Sequence, residues 1–360
     1  MNNVYIIAEA GVNHNGSLEM AKRLVDVAAT AKANAVKFQT FNTEDLVCLT
    51  APKAEYQHKS SIDNESQFQM LKSLELNHAA QIELQHYCQS KHIEFLSSPF
   101  DLKSVDFLCR TLNVPLVKIA SGEITNLPLL IKISQTGKPV ILSTGMSTLN
   151  EIETALMILT YGYLYPENEF LPSLQECENV YFSKLGQHAL QEKVSLLHCT
   201  SEYPAPFPDV NLRVIKTLND AFQLPVGYSD HTLGIGIAIA AVACGATIIE
   251  KHFTLDKNLI GPDHQASLDP QELNLMVQHI REVESALGSS KKIPVRSELK
   301  NRSIARKSLV ALKKISVGDK LTQENVGCKR PGNGISPLRF SDIQNTYAVR
   351  HYEPDELIGV

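Results

Sequence analysis

No two cysteines of this 360-residue chain stand in a CxxC pair, and their number, seven, is odd. They are scattered at positions 48, 88, 109, 177, 199, 244 and 328, so neither a zinc knuckle nor a disulfide framework is indicated. Cys109, Cys199 and Cys244 sit inside apolar runs and read as small buried hydrophobes. Positive charge is not in excess: 34 Lys and Arg stand against 39 Asp and Glu, a formal net charge of −5. That balance argues against an extended nucleic-acid footprint. No apolar run approaches the length of a membrane span, and the chain opens on an apolar strand, VYIIAEAG, without a basic leader. The expectation is a soluble protein of a reducing cytoplasm, with no membrane and no nucleic-acid partner. The first strand runs into EAGVNHNG, which is not the G-x-G-x-x-G turn of a dinucleotide-binding sheet.

What is present is a repeat. Apolar content of 43% and charged content of 20% are ordinary for a globular chain, long enough here for one large domain and a small one. Strand-like apolar runs alternate with helix-like patterns eight times over roughly 290 residues, which makes a (β/α)8 TIM barrel the leading fold. An open doubly wound sheet is the runner-up. The closing helix has Leu273, Met276, Val277, Ile280, Val283 and Leu287 on one face. Asp269, Pro270 and Glu272 supply its N-cap, first-turn proline and capping-box carboxylate. Two insertions interrupt the repeat. Residues 41–77 are polar and placed to fold over the barrel mouth; residues 161–193 fall at the opposite, amino end, where they read as structural. The barrel domain is therefore placed at 1–288. A basic linker covers 289–303, and short β-like runs between Gly and Pro turns make 304–360 a compact β-rich domain.

The chain converges on PVGYSDHTLGIGIAIAAVACGATIIEKHFTLDK, residues 225–257. It reads as strand, polar loop, buried apolar helix (235–246) and strand. His231 and His252 fall at matched places where two buried strands run out. Either each is a hydrogen-bonded core histidine, or the pair holds a divalent metal with positions left open for substrate. Other strand ends carry Lys37, Ser98, Lys118, Ser121, Ser143, Ser201 and Ser229, a set suited to phosphate and carboxylate oxygens. A lysine inside a β run is costly unless paired, so Lys37 and Lys118 either bind an anion or pair with Glu9, Glu123 or Glu250. Glu9, Glu123, Glu250 and Asp263 are placed to hold sugar hydroxyls, orient histidines or move protons.

The stretches EAGVNHNGS, VKFQT, SSPFD, KIASGE, ILSTGM, LLHCTSEYP, VGYSDHT, IEKHFT, GPDH and KRPGNG occur in this order over almost the whole chain. In them the sequence resembles the sialic acid synthase family, whose members condense phosphoenolpyruvate with an N-acylated hexosamine. The resemblance implies a TIM barrel followed by a small antifreeze-like (SAF, β-clip) domain. It implies a manganese or magnesium ion on His231 and His252. Phosphoenolpyruvate would be bound by Lys37, Ser98, Lys118, Ser121, Ser143, Ser201 and Ser229, with Asn64 from the first insertion. The amino sugar would be held by Gln39, Glu123, Tyr203 and Asp263. Arg330 would reach the sugar's N-acyl group in a neighbouring subunit's barrel, as in a domain-swapped homodimer. Ser98 stands where some members have threonine, and Ser201 where some have asparagine. The 161–193 insertion is longer than in compact members.

The reaction so implied joins the enol carbon of phosphoenolpyruvate to the sugar's aldehyde carbon. Water then adds at C2 and phosphate leaves, giving a 2-keto nonulosonic acid. Glu9 is the first choice to assist the water step, with Glu250 the alternative. N-acetylmannosamine, giving N-acetylneuraminate, is the leading substrate. A 2,4-diacetamido-6-deoxyhexose, giving legionaminate or pseudaminate, is the other. Two rival readings differ in class: a Schiff-base aldolase using Lys37 or Lys118 on pyruvate, and a non-catalytic carbohydrate-binding protein. Borohydride trapping with pyruvate would reveal the first, and phosphate release from mixed substrates would exclude the second.

Overall fold

The computed structural model describes residues 3–53 and 66–359. Its first unit, Met1–Gly288, is built on eight parallel strands: β1 (Tyr5–Gly11), β2 (Ala35–Thr40), β3 (Glu94–Pro99), β4 (Val117–Ile119), β5 (Val140–Ser143), β6 (Val194–Cys199), β7 (Val226–Asp230) and β8 (Ile248–His252). Hydrogen-bonded neighbours run β3-β2-β1-β8-β7-β6-β5-β4, and β3 and β4 lie side by side to complete the ring. β1 pairs with both β2 and β8, so the chain's first and last barrel strands meet. The strand order is that of a nearly closed TIM barrel.

Each strand alternates its side chains between two environments. One set faces the helices, in a core that includes Ile6, Ala8, Val36, Phe38, Phe95, Leu142, Leu196 and Ile249. The other faces the barrel interior, where Ile7, Ala35, Leu96, Ile141, Leu197 and Ile248 form a separate apolar cluster, with Tyr5 and Leu116 packed against it. The helices start where their caps dictate. Ser17 accepts from Met20 N at Leu18–Thr30, and Thr148 and Glu151 form a capping box at Leu149–Leu164. Asp269 accepts from Gln271 N and Glu272 N at Pro270–Leu287, as its sequence predicts.

Several strands run beyond their apolar residues. Ser97, Ser98 and Pro99 continue β3, in register with Phe38, Gln39 and Thr40, because backbone pairing is indifferent to side-chain polarity. The apolar segment 235–246 departs from expectation. Its helix is only Gly236–Ala243 and buries just Ala238, Ala241 and Val242, and Cys244 is exposed rather than buried. A hydrophobic composition all round does not by itself supply a second packing partner. The described part of insertion 41–77 forms the helices Thr43–Leu46 and Gln67–Leu74. Insertion 161–193 forms Leu174–Tyr181 and Lys184–Lys193, which bury Cys177, Tyr181, Ala189 and Leu190.

The second unit is Ser289–Val360. The stretch expected as linker, 289–303, holds most of a helix, Arg296–Ala305, that runs two residues past its end and buries none of its residues. Beyond it, β9 (Ser308–Ala311) and β10 (Val326–Lys329) pair antiparallel. Isolated bridges join Val310 to Leu357, Ile315 to Tyr352 and Lys320 to Tyr347. Leu309, Ala311, Ile315, Val326, Tyr352 and Ile358 make the core of this small β-rich unit.

Candidate active site

Two residues beyond the interior apolar cluster, at the carboxyl ends of the same strands, the barrel lining changes character. Glu9, Lys37, Ser98, Lys118, Ser143, Cys199, Ser229 and Glu250 replace hydrocarbon with charge and hydrogen-bonding groups. Gln39, Ala120, Ser201, His231 and His252 lie another two residues on, and with Ser121, Tyr203, Phe100 and Met146 they enclose a cavity of about 410 Å³. Strand geometry alone produces this stacking, since residues i, i+2 and i+4 share a face.

The charged groups form one network. Lys37 Nζ is 2.7 Å from Glu9 Oε2 and 3.8 Å from Glu250 Oε2. Lys118 Nζ is 3.3 Å from Glu250 Oε1, Lys37 donates to Ser98 Oγ (3.3 Å), and Ser229 Oγ donates to Glu250 Oε1 (3.1 Å). The lysines therefore do pair with Glu9 and Glu250, while facing the same cavity. Glu123 takes no part; it is half-buried and accepts from Asn126 Nδ2 at 2.7 Å. Both lysines are 3% exposed, so neither charge is held by water. The two carboxyls are driven apart. Burial pushes Glu9 up to about 7 against the pull of Lys37. Burial also acts on Glu250, but the ammonium groups of Lys118 and Lys37 outweigh it and hold that carboxyl at about 2. Burial lowers Lys118, whereas for Lys37 the carboxylates of Glu250 and Glu9 overcome burial and raise it.

The histidine rings stand with centroids 5.7 Å apart, and Tyr203 packs on both. His231 Nδ1 lies 2.6 Å from the Thr200 carbonyl. A carbonyl only accepts, so Nδ1 carries the proton and Nε2 keeps its lone pair, 3.3 Å from Ser229 Oγ. Burial lowers His231 to about 4. Burial, His231 and Lys37 push His252 well below its ordinary value. His252 Nδ1 is buried without a hydrogen-bond partner, with Asp263 Oδ2 3.7 Å away. Burial raises Asp263 to about 6. Two adjacent neutral imidazoles are the donors a divalent ion takes. Among the described residues no group of three or more His, Cys, Asp or Glu is arranged to hold one, so remaining ligands would come from substrate and water. The pair fits a catalytic ion with open positions.

Most of the expected site residues line this one cavity. Asp263 and Glu123 lie outside its lining. Asn64 falls outside the described residues. Arg330 belongs to the second unit, where its Nε donates to Ala305 O at 3.0 Å. Sequence reasoning missed Cys199, which lines the cavity with Sγ 3.1 Å from Ser121 Oγ. The signal was present, because Cys199 stands two residues after the interior residue Leu197. It also missed the partner of Lys251, which on the helix-facing side of β8 pairs with Asp230 at 2.8 Å and donates to Thr232 O. Asp230 and Lys251 are directly opposed across β7 and β8, and each adjoins a histidine. Removing either partner of such a pair would leave the other charge buried and uncompensated.

Fold and cavity together define a TIM-barrel protein with a buried, charged cavity at the carboxyl ends of its strands. The chain belongs to the NeuB family, the sialic acid synthases, whose profile matches residues 24–292, followed by a SAF domain at 306–359. It is 49% identical to an N,N'-diacetyllegionaminic acid synthase of Campylobacter jejuni, over 99% of each chain. It is 45% identical to the enzyme of that name from Legionella pneumophila, over 94% of this chain and 88% of the relative. Among solved structures it resembles an N-acetylneuraminic acid synthetase from Leptospira borgpetersenii in complex with citrate. That likeness has a TM-score of 0.67 and 36% identity, over 83% of this chain and 90% of the other. Among the described residues no helix is long and apolar enough to cross a membrane.

Proposed function

We propose that this protein condenses phosphoenolpyruvate with a 2,4-diacetamido-6-deoxyhexose and water, giving N,N'-diacetyllegionaminate and phosphate. The observation that carries the reaction class is the single cavity in which two buried ammonium groups, five serine hydroxyls and two neutral histidines meet. The sugar choice rests on identity: 49% and 45% to legionaminic acid synthases against 36% to the N-acetylneuraminic acid synthetase. N-acetylmannosamine, the leading substrate from sequence alone, is the second choice in this reading.

Lys37 and Lys118, with Ser98, Ser121, Ser143, Ser201 and Ser229, bind the phosphate and carboxylate of phosphoenolpyruvate and offset its charge. A divalent manganese or magnesium ion held by His231 and His252 would supply Lewis acidity toward the sugar's aldehyde oxygen. Gln39, Tyr203, Glu123 and Asp263 hold the amino sugar so that its aldehyde carbon faces the enol carbon. Carbon–carbon bond formation leaves C2 electron-poor; water adds there and gives a proton to Glu9. The C2–O bond to phosphate then breaks and the leaving phosphate takes the C2 hydroxyl proton, while Glu9 passes its proton to the alkoxide left by the aldehyde oxygen, so the keto acid and phosphate remain. Glu9, raised to about 7 by burial, is suited to accept and return a proton near neutral pH. Glu250, held at about 2 chiefly against burial by Lys118 and Lys37, stays ionised and keeps the lysines in place. In this reading the chain works as a cytoplasmic homodimer, and Arg330 of each subunit donates to the acyl carbonyl bound in its partner's barrel.

The test is phosphate release and product mass with phosphoenolpyruvate and each sugar in turn. The diacetamido sugar should be used in preference, and a chelator should stop turnover. Preference for N-acetylmannosamine would reverse the sugar assignment, and no phosphate release with either would remove the synthase reading. Mixing Arg330→Ala with His231→Ala chains checks the exchange: activity should reappear in the heterodimer. Verified subunit exchange without recovery places Arg330 outside its partner's site.

A further inference from the structure

The loop that follows β8 carries Asp263, and its attachment to the β1 loop is built almost entirely from side chains that chemistry at the cavity does not use. Asn13 Nδ2 donates to Phe253 O (2.8 Å) and to Ser267 Oγ (2.9 Å). Ser267 Oγ in turn donates to the carbonyl of Asp263 (2.6 Å). Asn15 Nδ2 donates to Ile260 O (2.9 Å), so Asn15 Oδ1 faces His264 Nε2 as an acceptor (3.2 Å). That leaves His264 Nδ1 to accept from Thr254 Oγ1 at 2.6 Å. Gly261 passes against the same group with φ +156°; a Cβ there would meet His264 Cδ2 at 2.6 Å and Asn15 Oδ1 at 2.9 Å. Asn13, Thr254, His264 and Ser267 are all buried. The bonds from Asn13 and Asn15 join residues 240–254 apart in sequence, so local loop formation does not explain them, whereas Thr254–His264 and Ser267–Asp263 brace the β8 loop from within.

We propose that Asn13, Thr254, His264 and Ser267 are positioning residues: they clasp the β8 loop to the β1 loop and thereby set where the Asp263 carboxylate stands beside His252 and the bound sugar. The proposal rests on the reading of Asp263 as a sugar-holding residue. A buried hydrogen bond shifts a local opening equilibrium by roughly two- to tenfold, so removing one should loosen the loop without unfolding the barrel. Asn13 and Asn15 come from EAGVNHNGS, Thr254 from IEKHFT and His264 from GPDH, so the clasp joins these stretches, with Ser267 just beyond the last.

Ser267→Ala deletes one oxygen, and Thr254→Val keeps shape while removing the hydroxyl; Thr254→Ser restores it, and Asp263→Ala serves as reference. In the intact chain, backbone hydrogen exchange over residues 255–267 and the KM values for the diacetamido sugar and phosphoenolpyruvate are measured for each. Both clasp variants should exchange faster in that loop alone. Their sugar KM should rise by up to the roughly two- to tenfold shift in loop opening while the phosphoenolpyruvate KM does not move, and Thr254→Ser should behave as wild type. Wild-type exchange in both variants would overturn the clasp. So would a sugar KM that stays put although Asp263→Ala raises it, or a parallel rise for both substrates. If Asp263→Ala leaves sugar KM unchanged, it is the sugar-holding reading that has failed, and the exchange measurement alone then decides the clasp.

Discussion

The barrel interior holds two layers stacked along the same sheet, and they could hardly differ more. The lower layer is Ile7, Ala35, Leu96, Ile141, Leu197 and Ile248, with Tyr5 and Leu116. The upper, two residues further along, includes Glu9, Lys37, Ser98, Lys118, Ser143, Ser229 and Glu250. The lower layer closes the barrel to water by packing. The upper layer, deprived of water by that packing, is where a charge must find a protein partner or shift its pKa. Glu9 at about 7, with burial as the main cause, and Glu250 at about 2, with burial overcome by Lys118 and Lys37, result from that enclosure. The plug is thus part of the chemistry without touching substrate.

The comparison can be broken most severely at its rim. His231→Ala or His252→Ala should lose more activity than the roughly 100-fold typical of removing a metal ligand's supporting partner, and manganese binding by titration should fall with it. Near-full turnover in either variant would remove the metal role. Next in size is the lower layer: Leu96→Ala, fully buried, should cost about 2–5 kcal/mol of stability in denaturant melts. KM values of the folded enzyme should change little. A change confined to kinetics would mean the layers are not separable in this way.

Lys118→Met tests the charge balance of the upper layer. A charge-assisted contact is worth about 1.5–3 kcal/mol, so the apparent constant for phosphoenolpyruvate should rise roughly tenfold or more while that for the sugar changes far less. Equal losses would indicate a disturbed barrel end. The mildest probe is pH. Glu9 must be deprotonated to accept a proton, and its raised value puts that ionisation near neutrality. Turnover should therefore climb as pH rises through about 7, and Glu9→Gln should flatten that limb. A limb surviving in Glu9→Gln would move the role to another group.

The register of the polar groups was readable because each stands at a fixed, even interval beyond a hydrophobic run. Cys199 was read as hydrophobic filler from its apolar neighbours, although its strand position puts it in the upper layer beside Ser121. The helix Gly236–Ala243 shows the opposite failure. Its residues are apolar on nearly every side, yet Ala243 and the following Cys244 are exposed, since burial depends on what packs outside and not on composition.

By itself the sequence determined the eight-fold strand–helix alternation, the capped closing helix, the separate β-rich end and the strand-end residue types, because each follows from local periodicity. Only the tertiary structure decided which lysine meets which glutamate, that Asp230 opposes Lys251, and that Asn13 reaches Ser267 across the seam between the first and last strands. Those partners are set by ring closure, which brings residues from opposite ends of the barrel sequence within hydrogen-bond distance. No local pattern records that approach. The shifted acidities follow from it in turn, since they depend on how completely the assembled walls exclude water.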